Sequence, residues 1–309
     1  MAVERAVVTG GAGFIGSHVA DRLLEAGTEV VVVDDLSTGR RENVPAGAEL
    51  READVRDAGA MRELLAVTRP DAVVHLAARA SVTRSVADPE EDGAVNVGGT
   101  VALLEAAHRA GVARFVYVST GGALYGEADE IPTPEDAPIR PLSPYGTSKW
   151  AGEAYCDLYA RLHGAGTLTL RLANVYGPRQ DPHGEAGVIA IFCDRLRAGQ
   201  RPTVFGDGLQ TRDYVYVGDV AGATVAALES TATGALNVGS GTEATVLDLV
   251  EALRALAGGS DFEPEYAPPR PGEARRSCLD PARAAAALGW RAETPLADGL
   301  RATLDSLDP

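Results

Sequence analysis

The sequence predicts an α/β protein built on a doubly wound parallel sheet, with a smaller α/β lobe toward its C-terminus. Three observations predict it. Short apolar runs recur along the first 175 or so residues: RAVVTG, EVVVVDD, AELRE, DAVVHLAA, RFVYVST and TLTLRLAN. Amphipathic stretches such as SHVADRLLEAG and GTVALLEAAHRAG separate most of them. After Asn174 the pattern changes, because YGPRQDPHGEAG is rich in turn formers and shorter, mixed elements follow. Near-continuous Val, Leu and Ile runs mean strands buried on both faces, and their alternation with helices means βαβ units.

We therefore expect a sheet domain over residues 1–174 and a smaller lobe over 175–309. Within that lobe, VYVGDVAGATVAALES reads as helical after Asp219, so part of 213–240 is expected to pack back on the first domain. APPRPGEARR (267–276) reads as a Pro-rich loop. DPARAAAALGW reads as a short helix, with Asp280 as N-cap and Pro281 in its first position. No internal repeat is visible.

Bulk chemistry narrows the function. A net charge of −16 makes nucleic acid a poor partner, and a phosphate must be met by a few placed arginines and backbone amides. Cys156, Cys193 and Cys278 form no C-x-x-C pair, and their odd number argues against a disulfide framework. No apolar run is long enough to span a bilayer, and MAVERAVVTGG enters a strand pattern directly. The expectation is a reduced, cytoplasmic protein without a membrane partner.

Residues 9–16 read TGGAGFIG, between strand RAVVT and helix FIGSHVADRLLEAG. Gly10 permits the tight turn, Gly13 lets backbone approach a pyrophosphate, and Gly16 lets helix pack on strand. The next strand ends in Asp34, 18 residues past Gly16, near the spacing of a ribose ligand. Its carboxylate would accept ribose hydroxyls and repel a 2′-phosphate, favouring NAD over NADP, a preference that Arg40 and Arg41 could soften. Asp54, after the third strand, either reaches the adenine end or is a solvated cap.

SPYGTSKWAGE (143–153) places Tyr145 and Lys149 four apart, on one face of a helix. A free tyrosine is a poor base at neutral pH. A nearby ammonium and a positive nicotinamide ring would lower its pKa. Thr120 ends its strand 25 residues earlier, at the sheet edge where doubly wound folds bind ligands.

Together TGGAGFIG, STGG and YGTSK resemble the extended short-chain dehydrogenase/reductases, with a Rossmann-type NAD domain. The likeness continues through NVGGT, LRLANVYGPRQ, TRDYVYVGDVA and NVGSG, nearly the whole chain, and is closest to the UDP-galactose (UDP-hexose) 4-epimerase branch. The resemblance implies a tightly bound NAD recycled at each turnover and a UDP-sugar substrate whose C4 is inverted through a 4-keto intermediate. Tyr145 would be the base, Thr120 the proton relay, and Lys149 the ribose ligand that tunes Tyr145. Phe14 and Ile15 would flank the pyrophosphate. Asp35, Val55, Leu76, Ala77, Ala78, Asn96 and Ser119 would complete the cofactor cleft. His75 is expected to be structural.

The same resemblance assigns Arg212 and Arg270 to the diphosphate, Glu273 to the uridine ribose and Asn174 to the diphosphate side. Gly187, Val188, Thr203 and Phe205 would wall the uracil. Gly121 and Gly122 stand where related 4,6-dehydratases carry Asp-Glu. Glycine supplies no acid or base, so epimerisation is favoured over elimination, and the two glycines would leave room for the sugar to turn over. UDP-glucose/UDP-galactose is the default substrate. UDP-glucuronate is the rival, with Arg84, Arg179 and Arg195 as candidate C6 contacts. The small Ser277 leaves N-acetylated sugars open, and an NAD-binding sensor is the non-enzyme alternative. A homodimer through GTVALLEAAHRAG and SKWAGEAYCDLYARLHG is implied.

Overall fold

The computed structural model describes residues 3–183, 187–259, 262–269 and 274–307. Its strands are β1 (Arg5–Thr9), β2 (Glu29–Asp34), β3 (Glu49–Glu52), β4 (Ala72–His75), β5 (Arg114–Thr120), β6 (Thr167–Leu172), β7 (Asn174–Tyr176), β8 (Thr203–Phe205), β9 (Thr211–Tyr216), β10 (Gly234–Val238), β11 (Glu243–Thr245), β12 (Glu265–Ala267) and β13 (Arg276–Ser277). Its helices are α1 (Phe14–Glu25), α2 (Ala58–Thr68), α3 (Val82–Ala87), α4 (Pro89–Gly93), α5 (Thr100–Ala110), α6 (Pro144–His163), α7 (Val188–Arg197), α8 (Val217–Glu229), α9 (Val246–Leu256), α10 (Ala282–Leu288) and α11 (Leu296–Asp305).

Seven parallel strands form one sheet in the order β10-β6-β5-β4-β1-β2-β3. Alternate residues of each strand face opposite layers. Val8, Val32, Val74 and Val116 pack with α1 and α8, through Val19, Leu23 and Val220. Val7, Val31, Val73 and Phe115 pack with α2 and α5, through Met61, Leu65 and Leu103. Apolar strands are thus covered on both faces. The order reverses between β1 and β4, so the loops after these strands diverge and open a crevice at the C-terminal edge.

Past Asn174 the chain builds a second layer. Strand β9 pairs with β7, β11 and β13, while β8 pairs with β12. Helices α7, α9 and α11 enclose its core of Phe192, Leu249, Leu253, Phe262 and Leu300. Between these elements α8 and β10 return to the large sheet, α8 against α1 and β10 beside β6. The Ala-rich helix begins one residue later than the sequence reading. Pro281 is the capping position and α10 starts at Ala282, although the Asp280 carboxylate accepts the Ala282 N–H at 2.9 Å.

A buried polar knot ties the layers together. The Arg171 guanidinium on β6 holds Glu153 of α6 at 2.7–3.2 Å. It also donates to the Tyr125 hydroxyl at 2.8 Å and the Glu135 carbonyl at 2.9 Å. Tyr125 donates to Asn237 of β10 at 3.0 Å, and Asn237 binds the Thr133 carbonyl. The long loop after β5 is therefore fixed to β6 and β10 and, through Arg171, to α6. Breaking one side of a buried pair leaves a naked charge, which costs about 3–5 kcal/mol. Arg171→Met is expected to lower unfolding stability by about that much in urea melts, and Arg171→Met/Glu153→Leu to recover most of it.

Candidate active site

The glycine turn lies at the reversal point. Gly10 adopts φ +70, and a Cβ there would stand 2.7 Å from the Ala77 nitrogen, so the ends of β1 and β4 meet backbone to backbone. A Cβ on Gly16 would stand 2.1 Å from the Gly10 carbonyl oxygen, which explains why the helix can start so close to the strand. Helix α1 has no side-chain cap and no acidic residue in its first turn. Its leading N–H groups, beside Phe14, Ile15 and Gly16, are the donors an anion needs.

Asp34 closes this cradle from β2. It is buried, and its carboxylate accepts the N–H groups of Ala12 at 3.0 Å and Leu36 at 2.9 Å. Burial raises its pKa, while these two bonds oppose the shift. Arg40 and Arg41, which could have softened the charge here, are drawn off to Asp181 and Glu52. Asp35 is exposed and turned to Ser37.

Several expected cofactor residues do other work. Asp54 is clamped by Arg56, at 2.6 Å to the nearer guanidinium nitrogen, which holds its pKa below the usual carboxylate range. Arg56 in turn binds Glu91, so Asp54 belongs to a surface ion-pair chain. Val55 is core: a Cβ on Gly99 would come within 2.7 Å of its methyl. Asn96 was expected to line the cleft, yet its amide is spent internally. It accepts the Arg79 N–H at 2.8 Å and donates to Asp92 at 3.1 Å and Ser148 at 3.0 Å. It sits in a π-helical turn, Ala94–Gly99, which aims this side chain toward α6. Leu76, Ala77 and Ala78 are half-buried at the end of β4, and Ser119 carries a buried hydroxyl with no partner among the described residues.

Helix α6 brings the next group to β5. Ser143 caps it by accepting the Gly146 N–H at 3.1 Å, and Pro144 opens its first turn. Gly146 and Gly152 let it lie close. A Cβ at either would stand 2.4 Å from the Ala123 carbonyl oxygen or 2.3 Å from the Tyr117 hydroxyl. Tyr145 thereby reaches Thr120, to which its phenol is hydrogen-bonded. Burial pushes the phenol up to about 12, against the Thr120 bond, and the Asp92 charge raises it further. Lys149, 3% exposed, rests its ammonium 4.3 Å above the Tyr117 ring. Burial lowers its pKa to about 8, with nearby Glu153 the chief opposing charge.

The sequence reading expects the ammonium and a positive nicotinamide ring together to lower the pKa of Tyr145; in the chain without the ring, burial is the largest influence and raises it. His75, directly behind, bridges Thr9 at 2.7 Å and Thr100 at 3.0 Å. Burial, helped by the Lys149 charge, depresses its pKa to about 3, so it stays neutral.

On the substrate side, Gly121 and Gly122 differ. A Cβ on Gly121 would strike Leu279 at 2.4 Å, so this space is already filled and offers a sugar nothing. The expectation of free room there is corrected. Gly122 is exposed, and a Cβ there would make only ordinary contact, 3.6 Å from the Asn174 amide oxygen and 4.0 Å from the Thr120 hydroxyl. Leu279 is held by Asp213, whose buried carboxylate also anchors Ser240. Arg212 is half-buried on β9, directly opposite Ser277 of β13. Gly187 and Val188 begin α7, and Thr203 and Phe205 bound β8. Thr203 accepts from Arg195 at 2.8 Å. Arg270 and Glu273 lie outside the described residues.

Residues 6–239 match the NAD dependent epimerase/dehydratase family. The chain belongs to that family. It is 48% identical to the UDP-glucose 4-epimerase of Mycolicibacterium smegmatis, over 97% of each chain. Among solved structures, it resembles the UDP-glucose 4-epimerase of Thermotoga maritima with UDP-glucose (TM-score 0.95, 46% identity, 98% of both chains). It also resembles the Thermus thermophilus UDP-glucose 4-epimerase in complex with NAD (TM-score 0.92, 47% identity, 98% of both chains).

The cofactor that gives this family its name fits the cleft. The uncapped helix start suits a pyrophosphate, the Asp34 carboxylate suits ribose hydroxyls, and the unpartnered Ser119 hydroxyl faces no competing protein group. One signal in the sequence went unused. Lys149 is the only lysine in the chain, and every other member of the 28 Lys and Arg is arginine. Arginine does not deprotonate in proteins, whereas lysine titrates when buried. Asp92, by contrast, carries no motif and is visible only through its burial beside α6.

Gly121→Ala is expected to destabilise the fold by about 1–3 kcal/mol through overpacking, and Leu279→Ala in the same chain to recover it, read by thermal unfolding. The His75 ring signals in proton NMR are expected not to titrate between about pH 5 and pH 8, set against an unperturbed midpoint near 6.5.

Proposed function

We infer that this protein is an NAD-dependent UDP-glucose 4-epimerase, an isomerase that interconverts UDP-glucose and UDP-galactose. The observation that carries the reading is the Thr120–Tyr145 hydroxyl pair at the end of β5. It stands next to a buried ammonium, with no acid or base at positions 121 and 122. The identity of 45–48% with UDP-glucose 4-epimerases over nearly the full length supports it.

When bound, NAD supplies an acceptor that takes hydrogen with its electron pair from sugar C4 and returns it to the opposite face. The protein's own residues handle the proton and the geometry. Tyr145, as phenolate, accepts the proton of the C4 hydroxyl, directly or through Thr120. Because burial holds the phenol near 12, it needs a cation close by when it ionises. Lys149 supplies one, and its low-dielectric setting strengthens the effect. Gly122 leaves space between Thr120 and Asn174 for the planar ketone to present its other face. Arg212 holds the diphosphate about which the sugar swings, together with Arg270.

A neutral C6 group is favoured because two of the three candidate arginines are engaged elsewhere. Arg179 is paired with Asp21 at 2.7 Å, and Arg195 donates to the Arg201 carbonyl and Thr203. We also assign a homodimer through α5 and α6, supported by the exposed Trp150, Tyr155 and Leu162 on α6. The three buried, unpaired thiols support a cytoplasmic setting. Among the described residues no helix is long and apolar enough to cross a membrane.

The test is to incubate the protein separately with UDP-glucose, UDP-glucuronate and UDP-GlcNAc and resolve the 4-epimers chromatographically. UDP-galactose should form fastest; no epimer from any of them defeats the reading. Tyr145→Phe should lose about 10²–10⁴-fold in kcat while keeping NAD. Turnover should fall as pH rises through about 8, where Lys149 gives up its proton.

A further inference from the structure

We propose that Asp92 is the counter-charge of Lys149: a positioning residue that keeps the lysine protonated inside the site. Asp92 lies on α4, is 2% exposed, and points into the layer between α4 and α6. One carboxylate oxygen accepts the Asn96 amide at 3.1 Å, and the same amide donates to Ser148, the neighbour of Lys149, at 3.0 Å. The other oxygen is buried and has no partner among the described residues. A buried carboxylate without a partner is costly unless a cation nearby answers its charge.

The surrounding charges single out Asp92. Glu153 lies one helical turn beyond Lys149, but its charge is answered by the Arg171 guanidinium at 2.7–3.2 Å. Cys156, a further turn on, has its thiol pKa driven up by burial and stays neutral. From β4, His75 is neutral as well, and from β5 Tyr117 offers only its ring face. Tyr145, on the same helix face, is protonated. Arg79 reaches Asp92 electrostatically, but its own guanidinium is bound to Glu91 at 2.9 Å. Glu153 ranks above Asp92 among the groups that raise the Lys149 pKa. Its ion pair with Arg171 offsets that field, and Asp92, whose pKa burial raises against the pull of the Lys149 and Arg79 charges, is left as the carboxylate without an ion pair among the described residues. The Asn96 bond fixes where that charge sits, which gives the internally committed amide a purpose.

A single lysine makes the test direct. Protein grown with lysine carbon-13 labelled at Cε gives one side-chain signal, whose titration is that of Lys149. In the unmutated protein the midpoint should lie near 8. In Asp92→Asn, which keeps the shape and the polar contacts, it should fall by about one unit or more. Asp92→Glu should restore it. A midpoint within about 0.2 units of the unmutated value in folded Asp92→Asn overturns the proposal.

Should Asp92→Asn fail to fold, the unmutated protein still decides. A counter-charge within the same buried layer is little screened, so the midpoint should hold between about 20 mM and about 500 mM salt. A fall of half a unit or more would mean that the long-range field of a −16 chain sets it, and would refute the assignment. Only a second arm rests on the epimerase reading: the alkaline limb of UDP-galactose formation should move with the NMR midpoint. A shifted midpoint with no epimer at any pH would sustain the role of Asp92 and defeat the epimerase reading.

Discussion

The desolvated ammonium of Lys149, resting on the face of Tyr117, is the interaction on which the rest of the site depends. Burial works against both members of the helix pair. It lifts the phenol of Tyr145 toward 12 and draws the ammonium of Lys149 down to about 8. Each group needs what the other supplies: the phenolate a cation, the cation a negative neighbour. The site is therefore held by opposed electrostatic costs, and the proposed chemistry is confined to the window where the lysine keeps its proton.

The fold exists, in effect, to bring helix α6 and strand β5 close enough for that opposition to operate. Two glycines of α6 let it lie close, Gly146 against the backbone of Ala123 after β5 and Gly152 against the Tyr117 side chain of β5. The Arg171–Glu153 pair pins the same helix from β6, and the Tyr125–Asn237 link secures the loop that carries Gly121 and Gly122. On the far side of the crevice the glycine turn after β1 meets the end of β4. A cofactor laid across that reversal point would present its reactive end to Thr120 and Tyr145. Leu279, coming from the second lobe, fills the space over Gly121 and so couples the two lobes at the site.

Much of this was legible in the sequence, for identifiable reasons. Buried parallel strands leave continuous Val runs, and a turn packed against its own helix admits only glycine at 10 and 16. A helical face of period 3.6 fixes Tyr145 against Lys149. These are local constraints, so they survive as local patterns. What could not be read was where side chains from distant segments finish. Asn96 has the spacing of a cleft residue, yet a π-helical turn points it at Ser148. Asp54 stands at the end of a strand, yet Arg56 two residues on captures it. The filling of the Gly121 space by Leu279 joins positions 158 residues apart, which no spacing rule reports.

The solitary lysine gives the most direct measurement. If a compact ammonium is what the site requires, Lys149→Arg should fail although it preserves the charge. A guanidinium is bulkier, planar and never neutral, and it cannot take the same seat above Tyr117. Lys149→Arg is expected to fold, to keep NAD, and to form UDP-galactose from UDP-glucose at least about 10²-fold more slowly. A rate within about threefold of the unmutated protein would contradict it, because charge alone would then suffice.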